Sequence, residues 1–397
     1  MDTPHIAPTP PADDPVVSVV MPCLNEADTL ATCIGKAKRA LAESGLAGEI
    51  IVADNGSTDG SPEIAAGLGA RVIRVTARGY GNALMAGIDA ARGPFVVMGD
   101  ADDSYDFGEV PALVTKLEEG YDLVQGCRLP AGGGRVSPGA MPFLHRWLGN
   151  PAFSRIARLW FNVPVNDVYC GLRGFRKAFY VTLGQRCTGM EFAIEMVLKS
   201  SLYGGRIAEP PITLHPDGRT SHAPHLRTFR DGWRTLRFFL MNSPRWLFLI
   251  PGILFILAGL VGYGVALPGL TLAGLTFDAH TLLFASMSIL CGYQAVLFAI
   301  IAKTFAINEG LLPGDRRMDR FYEIVDLERG LLLGIVGMLV GLGLLVVAVI
   351  MWRDTGFGRL DYSRAMRWVI PGATLTTLGF QTVLSSFLVS ILSLGRK

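Results

Sequence analysis

Residues 16–126 alternate short apolar segments with longer amphipathic ones. The short segments are rich in β-branched residues and predict five strands, at 16–21, 50–53, 72–75, 95–98 and 123–125. Helical periodicity between them predicts helices at about 27–43, 61–68, 81–91 and 111–119. Alternating strands and helices indicate a parallel α/β sheet, and such sheets bind ligands beyond the carboxyl ends of their strands.

From residue 247 onward the pattern changes to long apolar runs. Four runs of at least 21 residues contain no Asp, Glu, Lys or Arg, at 247–267, 282–302, 331–352 and 369–394. About 20 helical residues cross a bilayer core of ~30 Å, so each run predicts a membrane-spanning helix. We therefore expect an α-helical transmembrane domain over residues 247–397.

The segment 226–246 predicts an amphipathic helix between these two regions. Its basic residues recur every three or four positions: Arg227, Arg230, Arg234 and Arg237. Its apolar residues occupy another face: Phe229, Trp233, Leu236 and Leu240. Such a helix suits the interface of an anionic membrane. At the other end, residues 1–15 contain five prolines and no apolar core, which predicts a disordered tail.

The composition agrees with a membrane protein and excludes a wholly soluble chain. Half of the residues are hydrophobic and 18% are charged, against about 25% charged in soluble domains. The net charge of +2 conceals two opposite blocks, because residues 1–127 contain 8 basic and 19 acidic side chains and residues 128–246 contain 17 and 6. This asymmetry indicates differently charged partners for the two blocks.

The Lys and Arg residues near the ends of the apolar runs predict an orientation, because cytoplasmic loops are enriched in them. Twelve fall on the side of the N-terminal region and four on the opposite side. We therefore expect a multi-pass protein of the cytoplasmic (inner) membrane, with residues 16–225 and both termini in the cytoplasm.

Carboxylates follow two of the predicted strands. Asp100 and Asp102 come directly after the strand at 95–98, and two such carboxylates can share a hard divalent cation that in turn holds a diphosphate. A solvated acidic turn is the alternative. Asp54 follows the strand at 50–53 and can accept a hydrogen bond from a base or a ribose, although a turn and helix N-cap explain the same run. The glycines of Arg78-Gly79-Tyr80-Gly81 allow a backbone to approach a ligand closely.

Together, three segments resemble family 2 of the inverting glycosyltransferases: VVMPCLNE at 19–26, VADNGSTD at 52–59 and GDAD at 99–102. The segment VNDVYCGLRGFR at 165–176 is similar to the D-x-x-S-G-F-R-x-F-R segment of dolichyl-phosphate mannosyltransferases and bactoprenol glucosyltransferases. The resemblance covers about residues 16–240. It implies a GT-A fold over 16–225, with a Rossmann-like mixed sheet, and transfer of a hexose from a nucleotide sugar to a polyprenyl phosphate.

The resemblance also implies roles for individual residues. The nucleotide-sugar-binding set is Pro22, Leu24, Glu26, Asp54, Asp100, Ala101 and Asp102, in which Asp100 and Asp102 hold Mg²⁺ or Mn²⁺. Four residues depart from the family pattern: Leu24 replaces a tyrosine, Asn55 an aspartate, Ser104 a glutamine of the metal shell and Cys170 a serine. The first two leave the nucleotide base open, with UDP-glucose favoured over GDP-mannose.

The basic block suits a phosphate acceptor, because the planar guanidinium of arginine matches phosphate oxygens. The candidates are Arg128, Arg146, Arg173, Arg176 and Arg219. By resemblance, the lipid phosphate is held by Arg128, Arg146, Arg173, Arg219 and Ser221, and the catalytic set is Asp100, Asp102, Arg128 and Arg173. A phosphate monoester has a second pKa of about 6. It is therefore already an anionic nucleophile at neutral pH and needs no general base.

Two alternatives remain open. Glu191 lies where related hydroxyl-transferring enzymes keep an acidic base, so the acceptor can instead be a lipid hydroxyl; Glu191 is equally an ordinary residue of a first helical turn. The other alternative is a catalytically inactive membrane scaffold. The expected partners are the nucleotide sugar, the polyprenyl phosphate and the membrane, with a homo-oligomer possible and nucleic acid not expected.

Overall fold

The computed structural model describes residues 14–220, 228–272, 274–324 and 326–393. It divides into two compact units, Met1–Phe239 and Leu240–Lys397. Most of the predicted tail at 1–15 lies outside the described residues, as do Ser221 and the beginning of the amphipathic helix predicted at 226–246.

A seven-stranded sheet forms the centre of the first unit. Its strands lie in the order β3-β2-β1-β4-β7-β5-β8. Their bounds are Val17–Cys23 (β1), Gly48–Asp54 (β2), Arg71–Arg74 (β3), Phe95–Met98 (β4), Leu123–Gln125 (β5), Arg173–Arg176 (β7) and Ile207–Ala208 (β8). Two further short strands, β6 (Arg135–Val136) and β9 (Thr213–Leu214), pair with each other in parallel. Each of the five predicted strands is present.

Helices cover both faces of the sheet. Their bounds are Leu30–Ser44 (α1), Ser61–Gly67 (α2), Tyr80–Ala90 (α3), Val110–Glu118 (α4), Asn150–Phe161 (α5), Lys177–Leu183 (α6), Glu191–Leu202 (α7) and Thr228–Met241 (α8). Val19 and Met21 of β1 pack in one core with residues of α1 and α4, and Val20 packs in another with residues of α3 and α7. Burial on both faces explains why β1 is apolar except for Ser18, whose buried hydroxyl donates to Glu49.

Strand β7 makes the sheet mixed, as the family resemblance implied, while the five strands predicted over residues 16–126 run parallel to one another. It lies between β4 and β5 and runs antiparallel to both, with Arg173 opposite Met98 and Gln125. The sequence of β7, Arg-Gly-Phe-Arg, has no apolar run to mark it as a strand. Its pairing places Arg173 beside the carboxyl end of β4, where Asp100 follows.

The second unit contains four helices that are long and apolar enough to cross a membrane, and each includes most of one predicted span. Among the described residues these helices are Arg245–Ala266, Ala279–Asn308, Leu327–Asp354 and Tyr362–Ser393. The first combines a π-helical turn with α9 (Ile250–Ala266), and the others are α10, α12 and α13. A hairpin of β10 (Thr271–Leu272) and β11 (Leu275–Thr276) follows α9, and α11 (Arg316–Ile324) precedes α12.

Glycines allow α12 and α13 to pack backbone to backbone. A Cβ atom on Gly341 would lie 2.5 Å from the amide nitrogen of Thr376 and 2.7 Å from the carbonyl oxygen of Gly372. Small residues at contacts of this kind are typical of membrane helices, because packing rather than the hydrophobic effect holds them together.

We predict that Gly341→Leu separates α12 from α13 and destabilises the membrane unit, because overpacking of this kind costs about 1–3 kcal/mol or more. Gly343→Leu on the same helix is the control, since nothing lies within 4 Å of a Cβ atom at Gly343. The measurement is the melting temperature of the purified protein in detergent. Equal melting temperatures for the two variants would contradict the packing described.

Candidate active site

The carboxyl ends of β1, β2 and β4 lie side by side. β1 pairs in parallel with β2 on one side and with β4 on the other, which sets Cys23 opposite Asp54 and Val20 opposite Met98. The predicted nucleotide-sugar-binding residues lie in or directly after these strand ends: Pro22, Leu24, Glu26, Asp54, Asp100, Ala101 and Asp102. The fold therefore brings the whole set to one edge of the sheet.

These residues differ in exposure. Leu24 exposes 40% of its surface, whereas Glu26, Asp54 and Ala101 are buried. Ala101 is fixed through its backbone, because its carbonyl oxygen accepts a hydrogen bond from Thr29 Oγ1 at 2.6 Å. Leu24 is thus free to contact a ligand, while Ala101 mainly holds the turn that carries the two aspartates.

Hydrogen bonds join the loop after β1 to the loop after β2. The amide of Glu26 donates to Ser61 Oγ at 3.0 Å, and the amide of Ala27 donates to Asp59 Oδ2 at 2.9 Å. The other carboxylate oxygen of Asp59 accepts from the amide and the hydroxyl of Ser61. Asp59 of the motif, together with Ser61 just beyond it, thereby fixes the backbone that carries Glu26.

The carboxylate of Asp54 closes a turn in its own loop. It accepts hydrogen bonds from the amides of Gly56 at 3.2 Å and Ser57 at 3.1 Å. The turn interpretation of this motif therefore describes the structure. A carboxylate has about four lone-pair sites, so Asp54 can still accept from a ligand.

Asn55 has a structural role that explains its departure from the family pattern. Its Nδ2 donates to the carbonyl oxygens of Val75 (3.1 Å) and Ala77 (2.8 Å), and its Oδ1 accepts from the amide of Gly79 (2.7 Å). An ionised aspartate has no donor for the two carbonyls. Asn55 thus holds the loop that leads into α3.

The glycines of this loop approach another part of the chain, not a ligand as the sequence indicated. A Cβ atom on Gly79 would lie 2.3 Å from the carbonyl oxygen of Thr188, and one on Gly81 would lie 2.2 Å from that of Cys187. The amide of Gly81 donates to Thr188 at 2.9 Å. The two glycines are needed for this backbone packing, and they place Tyr80 between them.

Asp100 and Asp102 form a charged pair with different partners. Asp100 Oδ1 accepts a hydrogen bond from the hydroxyl of Tyr80 at 2.8 Å. Asp102 Oδ1 accepts from the amide of Ser104 at 3.0 Å and from its hydroxyl at 2.6 Å. Burial and then the charge of Asp102 raise the pKa of Asp100 to about 6. Because these two carboxylates are close enough to repel each other, a cation bound between them would be stabilised by both charges.

The donors fit a hard divalent cation, because Mg²⁺ and Mn²⁺ prefer carboxylate oxygens. The described part of the chain contains no group of three or more His, Cys, Asp or Glu side chains able to hold a metal. The assignment of a cation to Asp100 and Asp102 stays a prediction. Ser104, in the position of the family's glutamine, is occupied by its hydrogen bonds to Asp102.

Arg219 joins several carboxylates at the same edge. Its Nε and Nη2 donate to both oxygens of Glu26, at 2.8 and 2.7 Å. Its Nη1 bonds Asp217 at 2.8 Å, and its Nη2 lies 3.3 Å from Asp102 Oδ2. A residue predicted for the lipid phosphate thus contacts two residues predicted for the nucleotide sugar. Ser221, predicted beside it, lies outside the described residues.

Arg128 is buried and paired. Its Nε and Nη2 donate to the two carboxylate oxygens of Asp167 at 2.7 and 2.9 Å, and Asp167 is fully buried. Its Nη1 donates to the hydroxyl of Tyr105 at 3.2 Å, which accepts also from the amide of Gly171. Removing one partner of such a pair leaves an uncompensated buried charge and costs about 3–5 kcal/mol. The role of Arg128 at a lipid phosphate stays a prediction.

Arg173 is fully buried, and no carboxylate among the described residues is bonded to it. Its Nη1 and Nη2 donate to the carbonyl oxygens of Ala193 and Cys170, both at 2.5 Å, and its Nε has no partner. Burial lowers its pKa. A phosphate cannot reach this guanidinium in the arrangement described, so its predicted contact needs a rearrangement.

The prediction that Arg176 binds a phosphate is wrong, because the residue lies at the other end of the sheet. It pairs with Phe95 at the amino end of β4, opposite the end that leads to Asp100. Its guanidinium donates to the carbonyl oxygens of Leu117 and Tyr121 and therefore serves the packing of the sheet.

Arg146 lies beside an exposed apolar surface. It belongs to a π-helical turn, His145–Gly149, that precedes α5, and its guanidinium lies 5.2 Å from the ring centroid of Trp147. Its Nε is buried without a partner. Phe143 exposes 78% of its surface, Trp147 57% and Leu148 62%. We call Phe143, Trp147 and Leu148 the apolar patch.

Helix α8 packs on α5 within the same unit. The ring of Phe239 lies 6.2 Å from that of Phe153 and 5.7 Å from that of Phe161. Phe229 and Trp233 on the same helix expose 87% and 60% of their surfaces. The amphipathic pattern predicted for this helix thus has an apolar side that is partly buried and partly exposed.

Glu191 begins α7 and is partly buried. Its carboxylate makes no hydrogen bond within the described residues. It follows the backbone at 187–188 on which Gly79 and Gly81 pack. Its role as a base stays a prediction.

Sequence reasoning missed three polar residues of this site. Asp167 neutralises Arg128, Tyr105 bridges Arg128 and Gly171, and Tyr80 donates to Asp100. Asp167 had a signal, because it is the acidic residue of the segment resembling D-x-x-S-G-F-R. The two tyrosines had none, since their roles depend on strand and loop pairing.

Two family profiles match the chain. The profile described as Glycosyl transferase family 2 matches residues 18–183, and that described as Glycosyltransferase family 2 C-terminal transmembrane region matches residues 300–393.

Two relatives come from Haloferax volcanii. The low-salt glycan biosynthesis hexosyltransferase Agl6 is 37% identical over 379 residues, which are 95% of this chain and 89% of that protein. A dolichyl-phosphate hexose transferase is 34% identical over 197 residues, which are 49% of this chain and 81% of that protein. A solved structure of glucosyl-3-phosphoglycerate synthase from Mycobacterium tuberculosis, with Mn²⁺ and UDP, is 24% identical, has a TM-score of 0.43 and covers 57% of this chain and 78% of that one.

The chain belongs to glycosyltransferase family 2. It is a membrane glycosyltransferase related to dolichyl-phosphate hexose transferases. The expected GT-A fold with its mixed sheet is confirmed, and so is the expectation of a transferase.

We predict that Gly171→Ala displaces the carboxylate of Asp100, because the added Cβ atom would lie 2.6 Å from Asp100 Oδ2 and 3.0 Å from the ring of Tyr105. Binding of UDP or GDP in the presence of Mn²⁺, measured by calorimetry, should weaken about 10–100-fold. The control is Gly35→Ala in α1, where nothing lies within 4 Å of the new atom. Unchanged binding by Gly171→Ala would contradict the close approach of Gly171 to Asp100.

Proposed function

We propose that the protein transfers a hexose from a nucleotide sugar to a polyprenyl phosphate, with inversion at the anomeric carbon. The observation that carries this proposal is the position of Arg146 beside the apolar patch. A guanidinium next to exposed aromatic and aliphatic side chains suits an acceptor with an anionic head and a hydrocarbon chain. The names of the two Haloferax relatives, a hexosyltransferase and a dolichyl-phosphate hexose transferase, support the same assignment.

The edge of the sheet that carries Glu26, Asp54, Asp100 and Asp102, which we call the acidic edge, suits the nucleotide-sugar donor. We assign the base and ribose to Pro22, Leu24, Glu26 and Asp54, with UDP-glucose favoured and GDP-mannose the alternative. Asp100 and Asp102 would hold Mg²⁺ or Mn²⁺, which supplies positive charge to a diphosphate leaving group. The raised pKa of Asp100 and the oxygen donors of both residues support a cation here.

The acceptor needs positive charge and no base. A phosphate monoester is already anionic at neutral pH, and this chain supplies arginines near the acidic edge. Arg219 bonds Glu26 and lies against Asp102, and Arg128 and Arg219 both act to lower the pKa of Asp100. We assign these two arginines to stabilising the phosphates of donor and acceptor. Arg173 would join them only after a rearrangement that exposes its buried guanidinium.

The catalytic unit is proposed to act at the cytoplasmic face of the inner membrane. The distribution of Lys and Arg around the four spans supports this orientation, with both chain ends on the same side. The apolar patch and the exposed aromatic residues of α8 then provide a surface that can enter the bilayer interface.

Transfer to a lipid hydroxyl is the second candidate, because the carboxylate of Glu191 begins α7 without a hydrogen bond in the described chain. Such transfer needs a general base. The two products differ in mild acid, which hydrolyses a glycosyl phosphate and leaves an ordinary glycoside intact. Acid-stable product, lost in Glu191→Gln, would favour the hydroxyl acceptor.

The central test incubates membranes containing the protein with labelled UDP-glucose or GDP-mannose and undecaprenyl or dolichyl phosphate. We expect acid-labile label in the lipid phase. Asp102→Asn should lower transfer about 100-fold or more, because it removes one of two cation ligands. Asp103→Asn is the control, since Asp103 is paired with Lys36 at 2.8 Å. No lipid label with any donor would contradict the proposal.

The apolar patch generates a second prediction. Replacing Phe143 and Trp147 by serine should raise KM for undecaprenyl phosphate about tenfold, because two large apolar side chains no longer contact the hydrocarbon chain or the bilayer. KM for a short, water-soluble isoprenyl phosphate should stay unchanged. The control is Val181→Ser on α6, which is also exposed. An equal rise in KM for the long and the short acceptor would contradict a role of the apolar patch in binding the hydrocarbon chain.

A further inference from the structure

The two carboxylate oxygens of Asp100 have different surroundings. Oδ1 accepts the hydroxyl proton of Tyr80 at 2.8 Å. Oδ2 lies against Gly171, so close that a Cβ atom there would be 2.6 Å away. Oδ1 is therefore held by the hydroxyl of Tyr80. Oδ2 faces a glycine, which has no side chain to cover it.

Tyr80 is itself placed from both sides. Gly79 and Gly81 pack against the backbone of Cys187 and Thr188, and the amides of Gly81 and Asn82 donate to Thr188 at 2.9 and 3.3 Å. The ring packs against the second core of the unit. Little freedom remains for the first turn of α3, so the hydroxyl is directed by the fold and not by Asp100 alone.

The backbone at 187–188 is fixed in turn by a buried ion pair. Glu195 accepts hydrogen bonds from the amides of Arg186 at 3.0 Å and Cys187 at 2.8 Å. Lys199 bonds Glu195 at 2.8 Å and the carbonyl oxygen of Gly184 at 2.7 Å. Contacts therefore run without a break from α7 through this loop and the start of α3 to Asp100.

We propose that Tyr80 is a positioning residue for the cation site: its hydroxyl holds Oδ1 of Asp100 and leaves Oδ2 as the oxygen that binds the divalent cation. This inference rests on the cation site of the proposed function and goes beyond it. A hydrogen bond from a neighbouring residue orients a carboxylate before the cation arrives, and loss of such a partner typically weakens metal binding about 10–100-fold.

A purely structural role for Tyr80 leads to a different expectation. Its ring would then matter for packing and its hydroxyl would not, so Tyr80→Phe would leave Mn²⁺ affinity unchanged. The matched control is Tyr180→Phe. Tyr180 is a buried tyrosine of the same unit that stacks on Phe175, and its hydroxyl makes no hydrogen bond in the described chain.

The experiment titrates the full-length protein in detergent with Mn²⁺ in the presence of UDP or GDP and follows free Mn²⁺ by electron paramagnetic resonance. Tyr80→Phe should weaken Mn²⁺ binding about 10–100-fold, and Tyr180→Phe should not change it. Replacing Tyr80 by 4-aminophenylalanine keeps an N–H donor at the same place and should restore the affinity. In transfer assays, Tyr80→Phe should raise KM for Mn²⁺ far more than it lowers kcat at saturating Mn²⁺.

The outcomes separate this inference from the proposed function. Wild-type Mn²⁺ affinity in Tyr80→Phe overturns the role of Tyr80 and leaves the transferase proposal in place, and so does a loss that 4-aminophenylalanine fails to restore. No Mn²⁺ binding to the unaltered protein overturns both the cation site and the role of Tyr80. A third outcome is that Tyr80→Phe weakens Mn²⁺ binding while the unaltered protein fails to label polyprenyl phosphate. This outcome supports the positioning role of Tyr80 and overturns polyprenyl phosphate as the acceptor.

Discussion

The candidate site depends on the two pairings of strand β4. On one side β4 pairs in parallel with β1, which aligns Asp100 and Asp102 with the carboxyl ends that carry Glu26 and Asp54. On the other side it pairs with the antiparallel β7, which sets Arg173 opposite Met98. Acidic and basic groups thus meet at one strand end because backbone hydrogen bonds fix them there, and the sheet supplies the geometry before any ligand binds.

Charge compensation follows from that arrangement. The acidic and basic blocks of the sequence, which indicated separate partners, also pair with each other: Arg219 of the second block bonds Glu26 and lies 3.3 Å from Asp102 of the first. Arg128 is neutralised within its own block by Asp167. Of these three arginines, Arg173 is the one that is fully buried without a bonded carboxylate in the part of the chain that the structure describes, where its Nε also has no partner. A buried cation without a bonded carboxylate costs free energy, so the burial of Arg173 in this arrangement is offset only in part by its hydrogen bonds to the carbonyl oxygens of Ala193 and Cys170.

Much of the architecture could be predicted from the sequence, because it depends on local pattern. The five apolar strands, the helices between them and the four spans all follow from periodicity and length. The rule that ligands bind beyond the carboxyl ends of parallel strands brought Asp54, Asp100 and Asp102 together, and the family resemblance added Glu26. Strand β7 could not be predicted in this way, since two of its four residues are arginines and its burial comes from neighbours far along the chain. For the same reason, Arg176 looked equivalent to Arg173 in the sequence, although three residues along an extended strand carry it to the opposite end of the sheet.

The glycines and Asn55 show where motif reasoning fails in physical terms. Gly79 and Gly81 have the composition of a ligand-binding loop, and the space beside them is filled by the carbonyl oxygens of Thr188 and Cys187. Asn55 departs from the family's aspartate, and its amide donates to two carbonyls of the loop that carries these glycines. Both features serve the backbone around Tyr80. A motif shows which residues occur at a position but not which neighbouring part of the chain requires them. For Gly79 and Gly81 that neighbour is the backbone at 187–188, more than 100 residues away in the chain. The local sequence therefore brought the predicted site residues to one edge of the sheet, while it attributed part of the structure that supports this edge to the ligand.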